Sequence, residues 1–293
     1  MGNTPPKISI IFPVKNEGKN VKMTLDSLFA VKTKIDIQAI IVDDASNDQC
    51  CAFLANYPHR SKVTYIRANG VGPANARNLG AEKAIYPYLA FCDAHMTFEN
   101  FWIDRLLYHL LQGKSDAVCP AIGSLDDPTI KGYGQSLTPS LKIKWHQRRR
   151  SLFETAVLPG ACIITSQRVF KDVGGFETGF STWGHEDVEF ALKLWLFGYR
   201  CHCDPQVTVL HLFRVSHPYT VNYEGIYYNL LRMAYLHFDD KRIKKAKALI
   251  IHGSPLEIEK KVLKDGVLAK RAQYVRRRKM DIEDLFKKFN IYF

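Results

Sequence analysis

Short apolar runs alternate with helix-like segments along the first third of the chain. Four runs of four or five mostly apolar residues have the character of buried strands. The segments between these runs contain apolar residues at helical spacing or many small residues, as in Gly72–Ala84. This alternation predicts an α/β fold with a mostly parallel sheet sandwiched by helices. The four runs are Ile8–Phe12, Ala39–Val42, Val63–Ile66 and Tyr88–Cys92.

Polar side chains follow three of these runs, at the points where the strands are expected to end. Glu17 comes shortly after the first run, Asp43 and Asp44 follow the second, and Asp93 and His95 follow the fourth. In open parallel sheets, ligands bind beyond the carboxyl ends of the strands. We therefore expect one site at this edge of the sheet rather than three unrelated polar turns.

Asp93 and His95 are strong metal ligands two residues apart in the sequence. At the end of a strand, positions i and i+2 lie on the same side, so the carboxylate and the imidazole can converge on one cation. Two protein ligands leave coordination positions open, which suits a divalent ion that also holds a substrate diphosphate. The alternative is an ordinary polar turn after a strand.

The pattern is less regular in the second half of the chain. Gly123–Pro139 has the composition of a loop, and Val207–Leu210 has that of a strand. Beyond Pro218, apolar residues recur at helical spacing. The chain is therefore divided into a domain of residues 1–218, with halves of about 1–115 and 116–218, and a basic helical C-terminal region, 219–293.

The formal net charge of the 293-residue chain is +12. Such a surface favours anionic partners, which include nucleotides, nucleic acid and an acidic membrane face; the alternative for the C-terminal region is a solvated helix surface. The N-terminal residues lack a signal-peptide core, and no apolar run has the length of a membrane span. These features predict a cytoplasmic protein, with the basic C-terminal region in peripheral contact with an acidic membrane face.

Seven cysteines are scattered along the chain without zinc-ribbon spacing, so reduced thiols are expected. The segment Cys201-His202-Cys203 contains potential metal ligands, but strand-like alternation of buried and exposed positions explains it more simply.

Five segments, in order and at typical separations, resemble the motifs of family 2 glycosyltransferases of the GT-A fold, which is Rossmann-like. The resemblance runs from about residue 7 to residue 215. It implies that the first half of the domain binds a nucleotide-sugar and the second half binds an acceptor. The segments are Ile8–Glu17, Val42–Asp48, Gly72–Gly80, Asp93–His95 and Gly184–Asp187.

The Asp-x-His form of the metal motif resembles that of the polypeptide N-acetylgalactosaminyltransferases. In those enzymes a second histidine from a late strand completes the metal site, and the strand carrying His211 is similar to it. The resemblance implies that Asp93, His95 and His211 hold Mn²⁺, with Mg²⁺ as its competitor. A histidine buried in the core is the alternative for His211.

The resemblance also implies how the nucleotide-sugar binds. Asp44 would contact the nucleobase, Pro13 and Glu17 would line the base and ribose pocket, and Arg77 and Asp93 would lie at the diphosphate. A carboxylate accepts the imide N–H of uracil, which favours a UDP-sugar. The alternative for Asp44 is a turn or helix cap, and the alternative for Arg77 is a structural ion pair.

The Glu186-Asp187 pair resembles the motif that supplies the base in inverting enzymes. Asp187 would take the acceptor proton, and Glu186 would orient Asp187 or contact the acceptor. The retaining N-acetylgalactosaminyltransferases generally carry asparagine at the position of Asp187, so inversion is expected. The alternative is that both acids stabilise a helix N-terminus. Trp183 and His185 lie in a segment similar to an acceptor loop, where Trp183 is a platform or a core residue.

Together these features predict a metal-dependent glycosyltransferase. The donor is a nucleotide-sugar, and the acceptor is a glycan, a lipid-linked sugar or a peptide. One alternative is a sugar nucleotidyltransferase, although the chain lacks a glycine-rich phosphate loop. Another is a basic nucleic-acid-binding protein, but no segment resembles a nucleic-acid module, so nucleic acid is not expected as a partner.

Overall fold

The computed structural model describes residues 5–293, and twelve strands lie within this range. Ten of them form one sheet, and β8 and β9 form a separate hairpin. The strands are β1 (Lys7–Val14), β2 (Asp36–Asp44), β3 (Val63–Ala68), β4 (Tyr88–Cys92), β5 (Met96–Phe98), β6 (Ala117–Ser124), β7 (Lys131–Tyr133), β8 (Gln135–Leu137), β9 (Ile143–Trp145), β10 (Phe153–Glu154), β11 (Cys162–Ser166) and β12 (Cys201–His211).

The main path of the large sheet has the order β10-β12-β6-β11-β4-β1-β2-β3. Strand β1 is parallel to both β2 and β4, β3 is parallel to β2, and β12 is parallel to β6. Strand β11 is antiparallel to both β4 and β6, so β6 and β12 run in the same direction as β1 to β4. The carboxyl ends of these six strands therefore point toward one edge of the sheet.

Helices cover both faces of the sheet, because successive residues of its strands point to opposite sides. In β1, Ile11 belongs to one core cluster, whereas Ile10 and Phe12 belong to the other. The first core also contains side chains of α2, α4, α5 and α6, and the second those of α1 and α3. These helices are α1 (Asn20–Ala30), α2 (Pro73–Glu82), α3 (Trp102–Leu111), α4 (Gln167–Asp172), α5 (Glu186–Leu196) and α6 (Tyr223–His237).

The C-terminal region is helical, and its apolar side chains join the core that contains α5. After α6 come α7 (Asp240–Ala248), α8 (Pro255–Lys264), α9 (Val267–Arg277) and α10 (Ile282–Lys288). Leu231 and Leu285 are fully buried in that core. Among residues 5–293, no helix has the length and hydropathy needed to cross a bilayer. The predicted division at residue 218 falls between β12 and α6.

The predicted α/β class, with a sheet sandwiched by helices, is confirmed, and two local predictions are corrected. Gly123–Pro139, which has the composition of a loop, contains the end of β6 together with β7 and β8. Strand β12 begins at Cys201 rather than near Val207. Within it Cys201 and Cys203 are fully buried while His202 is half-buried, so strand alternation explains that segment.

Candidate functional site

Three potential metal ligands converge at the carboxyl edge of the sheet. Asp93 and His95 follow β4, and His211 is the last residue of β12. One ligand atom of each lies within 4.8 Å of the others. The two Nε2 atoms of His95 and His211 are 3.0 Å apart, and His211 Nε2 is 3.2 Å from Asp93 Oδ2. A divalent cation among these atoms would accept an electron pair from each of them.

Strand pairing brings these three residues together from distant parts of the sequence. His211 pairs with Met96 of β5 on one side and with Ser124 of β6 on the other. The backbone N–H of Asp93 donates to the carbonyl of Ala161, just before β11, at 3.1 Å. Burial raises the pKa of Asp93, but the hydrogen bond from His211 and the charge of Arg77 outweigh it and hold that pKa below its ordinary value.

Glu17 lies behind His95, on the side of the ring away from His211. Its Oε2 atom is 3.1 Å from His95 Nδ1, and Arg214 Nη1 donates to its Oε1 at 3.1 Å. Burial raises the pKa of Glu17, but His95 and Arg214 lower it further than burial raises it. An ionised Glu17 accepts the Nδ1–H of His95, so the lone pair of His95 Nε2 faces the cluster.

Arg214 is a functional candidate that the sequence analysis did not identify. It lies three residues beyond His211. Its position shortly after the strand that resembles the metal-site strand of the family could have identified Arg214. Its pairing with a residue 197 positions earlier was not readable from local pattern.

Asp44 binds the loop that precedes α2. Its two carboxylate oxygens accept the backbone N–H groups of Val71, at 2.6 Å, and Gly72, at 2.9 Å. The side chain is 4% exposed. These contacts correspond to the turn-forming alternative, although a carboxylate retains further lone pairs for a ligand donor. Pro13, the other predicted base-pocket residue, is half-buried in β1 opposite Val42.

Arg77 is a buried bridge between the ligand cluster and helix α5. Its Nη2 donates to Asp93 Oδ1 at 3.0 Å and to the carbonyl of Gly160 at 3.3 Å, and its Nη1 lies 3.4 Å from Glu186 Oε1. With only 4% of the side chain exposed, the guanidinium is held as a structural ion pair. It also leaves a fixed positive charge beside the cluster.

Glu186 and Asp187 begin α5, and both carboxyl groups have raised pKa values. Burial raises the pKa of Glu186 to about 7, with Arg77 opposing it and Asp187 adding to it. Burial also raises the pKa of Asp187, against hydrogen bonds from Gly160 N–H, at 3.1 Å, and Val188 N–H, at 2.8 Å. A carboxylate with a raised pKa is a stronger base than an ordinary one.

Aromatic side chains lie near these acids. Trp183 is 41% exposed, which excludes a core role, and its ring centroid lies 4.7 Å from that of His217. His185 precedes α5 with a left-handed backbone, φ +66°, and burial lowers its pKa to about 4, so it is neutral at pH 7. Burial raises the pKa of Tyr219 to about 12, and the charges of Glu186, Asp93 and Glu17 add to this.

Tyr219 and His217 were not identified from the sequence, because the predicted division at residue 218 runs through their segment. Residues 212–222 instead return to the site from β12. The N–H of Leu212 donates to the carbonyl of His95 at 3.0 Å, and Asn16 Nδ2 lies 3.5 Å from the carbonyl of Pro218. Tertiary contacts alone place this segment beside Glu17 and Glu186.

Two family models match the chain. The model of glycosyl transferase family 2 matches residues 9–174, more than half of the sequence. A model described as the N-terminal domain of galactosyltransferase matches residues 149–221, a range that includes Glu186, Asp187 and His211.

A mouse protein and two solved structures are similar to this chain. Polypeptide N-acetylgalactosaminyltransferase 12 of Mus musculus is 30% identical over 239 residues, which cover 73% of this chain and 41% of that protein. The crystal structure of GalNAc-T7 with UDP, GalNAc and Mn²⁺ has a TM-score of 0.74 at 16% identity, covering 99% of this chain and 57% of that one. The S. aureus TarS 1-349 structure with UDP-GlcNAc has a TM-score of 0.61 at 19% identity, covering 83% and 70%.

These likenesses define the fold and its extent. The expected GT-A architecture is confirmed, since the solved structures of similar fold are glycosyltransferases. The chain spans about two fifths of the length of the curated relatives it matches.

Proposed function

Since the chain belongs to glycosyl transferase family 2, we propose that it transfers a sugar from a UDP-sugar to an acceptor in a reaction that depends on Mn²⁺. The observation that carries this proposal is the convergence of Asp93, His95 and His211 on one point, with Asp187 held nearby through Gly160. The solved structure of GalNAc-T7 with UDP, GalNAc and Mn²⁺, which has a similar fold, is consistent with it.

The donor set fits the metal. One carboxylate oxygen and two imidazole nitrogens form a mixed set that suits Mn²⁺, with Mg²⁺ as a weaker competitor because it prefers oxygen ligands. When bound, the ion stabilises the negative charge that develops on the leaving diphosphate. Glu17 orients His95 for this role, and Arg77 adds a positive charge on the side of Asp93.

Asp187 is the proposed base, and the proposed outcome at the anomeric carbon is inversion. The N–H groups of Gly160 and Val188 fix the orientation of its carboxylate, and burial makes it more basic. It would accept the proton of the acceptor while the acceptor attacks the anomeric carbon opposite the leaving group. Glu186, paired with Arg77, lies beside Asp187 in the first turn of the helix.

The acceptor binds, in this proposal, across Trp183, His217 and Tyr219. Trp183 offers an exposed aromatic face, which suits either the apolar face of a sugar ring or a peptide side chain. The curated relatives named as polypeptide N-acetylgalactosaminyltransferases favour a peptide, and a glycan remains the second choice. Neutral His185 at the start of α5 adds a hydrogen-bonding group without a charge.

A reducing compartment such as the cytoplasm is proposed from the thiols. All seven cysteines are buried and unpaired, including Cys92 and Cys162, whose sulfur atoms are 3.7 Å apart across β4 and β11. Thiol titration of the purified protein in denaturant should recover seven free thiols, and recovery of fewer would contradict this part of the proposal.

The donor site is tested by thermal stability in the presence of nucleotides. The panel contains UDP, GDP, CDP and UDP-N-acetylgalactosamine, each with and without Mn²⁺, on the wild type and on Asp93→Ala. A ligand that binds only the folded state raises the unfolding midpoint. We expect a shift with uridine nucleotides that requires Mn²⁺ and is lost in Asp93→Ala. No shift with any nucleotide would overturn the proposed function.

The base assignment is tested by Asp187→Asn. The amide keeps the shape of the carboxylate but cannot accept the proton, so we expect turnover to fall by a factor of about 10² to 10⁴ while UDP affinity is unchanged. Product anomeric configuration, measured by NMR, checks inversion. Full turnover in Asp187→Asn, or a product with retained configuration, would remove Asp187 from this role.

A further inference from the structure

Helix α6 contacts the loop that leads into the proposed catalytic acids at three points. We define the Trp183 loop as residues 181–185. A Cβ atom on Gly225 would lie 2.5 Å from Thr182 Cγ2, and one on Gly184 would lie 3.2 Å from Ile226 Cγ2. Asn229 Nδ2 donates to the carbonyls of Thr182, at 3.0 Å, and Gly184, at 2.9 Å. The first two turns of α6 therefore form the back wall of this loop.

Asn229 is fully buried, and the loop uses both hydrogens of its amide. Its Oδ1 atom has no hydrogen-bond partner in the described structure, residues 5–293. Burying an amide is unfavourable unless it is hydrogen-bonded. The two bonds to the Trp183 loop therefore offset the cost of removing the Asn229 amide from water. Both donors of this buried side chain are used by the loop, which indicates that the position serves the loop.

The Trp183 loop needs external support because of its backbone conformation. Gly184 has φ +114° and His185 has φ +66°, so two successive residues lie at positive φ. For His185 this conformation is unfavourable and persists only where surrounding contacts hold it. The bonds from Asn229 bracket Trp183, since they engage the carbonyls immediately before and after it.

The opposite side of the loop rests against α2. A Cβ atom on Gly72 would lie 2.5 Å from the carbonyl oxygen of Ser181, and Asn75 Nδ2 donates to the carbonyl of Phe180 at 3.0 Å. Gly72 is also the residue whose N–H binds Asp44. The Trp183 loop is thus held between a helix of the nucleotide half and a helix of the C-terminal region.

Buried ion pairs fasten α6 itself. Arg232, one turn beyond Asn229, donates to Glu177 Oε1 from Nε at 3.0 Å and from Nη2 at 2.9 Å. His237, at the end of α6, is 2.9 Å from Glu189 of α5. The side chains of all four residues are at most 5% exposed. Asn229 therefore projects from a fixed support rather than from a mobile appendage.

We propose that Asn229 is a positioning residue that holds the Trp183 loop in its active geometry, so that the C-terminal helices are part of the acceptor side of the site. Its effect on turnover rests on the proposed function, whereas its effect on the loop does not. Loss of the two hydrogen bonds leaves Trp183 and the start of α5 less fixed relative to Asp93. The contacts of Asp44 and the ligand cluster stay in place.

The experiment compares Asn229→Ala and the similar-sized Asn229→Leu with a control, Met233→Ala. Met233 lies one turn away on the same helix and is fully buried in the same core, so it matches the loss of packing without touching the hydrogen bonds. Hydrogen exchange of the amides of residues 181–187 reports on the loop, calorimetry on UDP and Mn²⁺ affinity, and UDP release from UDP-N-acetylgalactosamine on turnover.

Both Asn229 variants are expected to raise exchange of residues 181–187 by about tenfold or more over the control, because two hydrogen bonds are lost and each makes a modest net contribution. We expect kcat to fall by about the same factor, with UDP affinity within about twofold of wild type. Exchange equal to that of Met233→Ala would overturn the positioning role. If the wild type binds no UDP, the proposed function fails, and exchange alone decides whether Asn229 holds the loop.

Discussion

Two clusters of titratable side chains in this protein are organised in opposite ways. At the carboxyl edge of the sheet, the ligand cluster of Asp93, His95 and His211 points electron-pair donors toward one another, and its side chains are 12% to 24% exposed. Between α5 and α6, a buried network pairs each acid with a base at 5% exposure or less. Its members are Glu177, Glu189, Lys193, Arg232 and His237.

The difference separates a binding site from a structural support. The buried network satisfies its own charges, since Glu177 meets Arg232 and Glu189 meets both Lys193 and His237. In the ligand cluster, the Nε2 atom of His211 faces both His95 and Asp93. A divalent ion would bind all three groups at once. We infer that the first cluster depends on a ligand and the second on the fold alone.

The largest expected effect is the loss of a ligand from the open cluster. His211→Ala should abolish Mn²⁺ binding and lower turnover by on the order of 10³-fold, because a bound divalent ion contributes several kcal/mol to transition-state stabilisation. Titration calorimetry and UDP release measure the two quantities. His109→Ala is the matched control, since His109 also faces a carboxylate, Asp204, at 2.8 Å, but outside the cluster. Equal losses in both variants would contradict the assignment.

Removing one partner from the buried network should affect stability most. Arg232→Met leaves the carboxylate of Glu177 less compensated in the core, which typically lowers the free energy of unfolding by about 3 to 5 kcal/mol. Urea unfolding measures the change. The control is Lys260→Met, which breaks the exposed pair with Glu257 and should not change stability measurably. Retained stability in Arg232→Met would mean that the network is not a support.

Acid should weaken the same network. Burial raises the pKa of Glu177, but Lys270, Lys193 and Arg232 outweigh it and lower that pKa to about 2, below the value near 4.5 of the unfolded chain. Its ionised form therefore stabilises the fold above pH 4.5, and this contribution, on the order of 3 kcal/mol, is lost as the pH falls toward 2. Unfolding measured from pH 6 to pH 2 should show a steeper loss in wild type than in Glu177→Gln.

The smallest effect is expected from removing the side chain that supports Glu17 behind His95. Arg214→Ala removes the partner that holds Glu17 against His95, so we expect Mn²⁺ affinity to fall by about tenfold while the fold is unchanged. Arg200→Ala, which breaks an exposed pair with Asp116, is the control. Unchanged Mn²⁺ affinity in Arg214→Ala would show that His95 is oriented without Glu17.

The sequence predicted the parts of the site that depend on local pattern. Asp93 and His95 were identified because alternation places both on one side of a strand end, and the structure brings them within 4.8 Å together with His211. His211 required the resemblance to a known family, since a lone histidine at a strand end has no local signature. The strands β1, β2, β3 and β4 were predictable from local pattern too, because each contains a short run of mostly apolar residues.

The roles of Glu17 and Arg77 could not be read from the sequence. The place of Glu17 in the nucleotide pocket stays a prediction, and the contacts of its carboxylate with His95 and Arg214 had no local signal. Arg77 had two interpretations, and its ion pairs with Asp93 and Glu186 join residues 16 and 109 positions away. The partner of a charged side chain depends on distances in the folded structure, and the spacing of residues along the sequence does not encode these distances.

By itself, the sequence determined the alternation of strands and helices, the edge at which the polar residues gather, and the identity of the chemistry-bearing side chains. These depend on the two-residue and 3.6-residue periods of the backbone, which act over a few positions. Only the tertiary structure decided which other side chains orient these chemistry-bearing residues. Asn229 reaches the Trp183 loop across 45 to 47 positions, because burial and the need to satisfy polar groups act in space rather than along the chain.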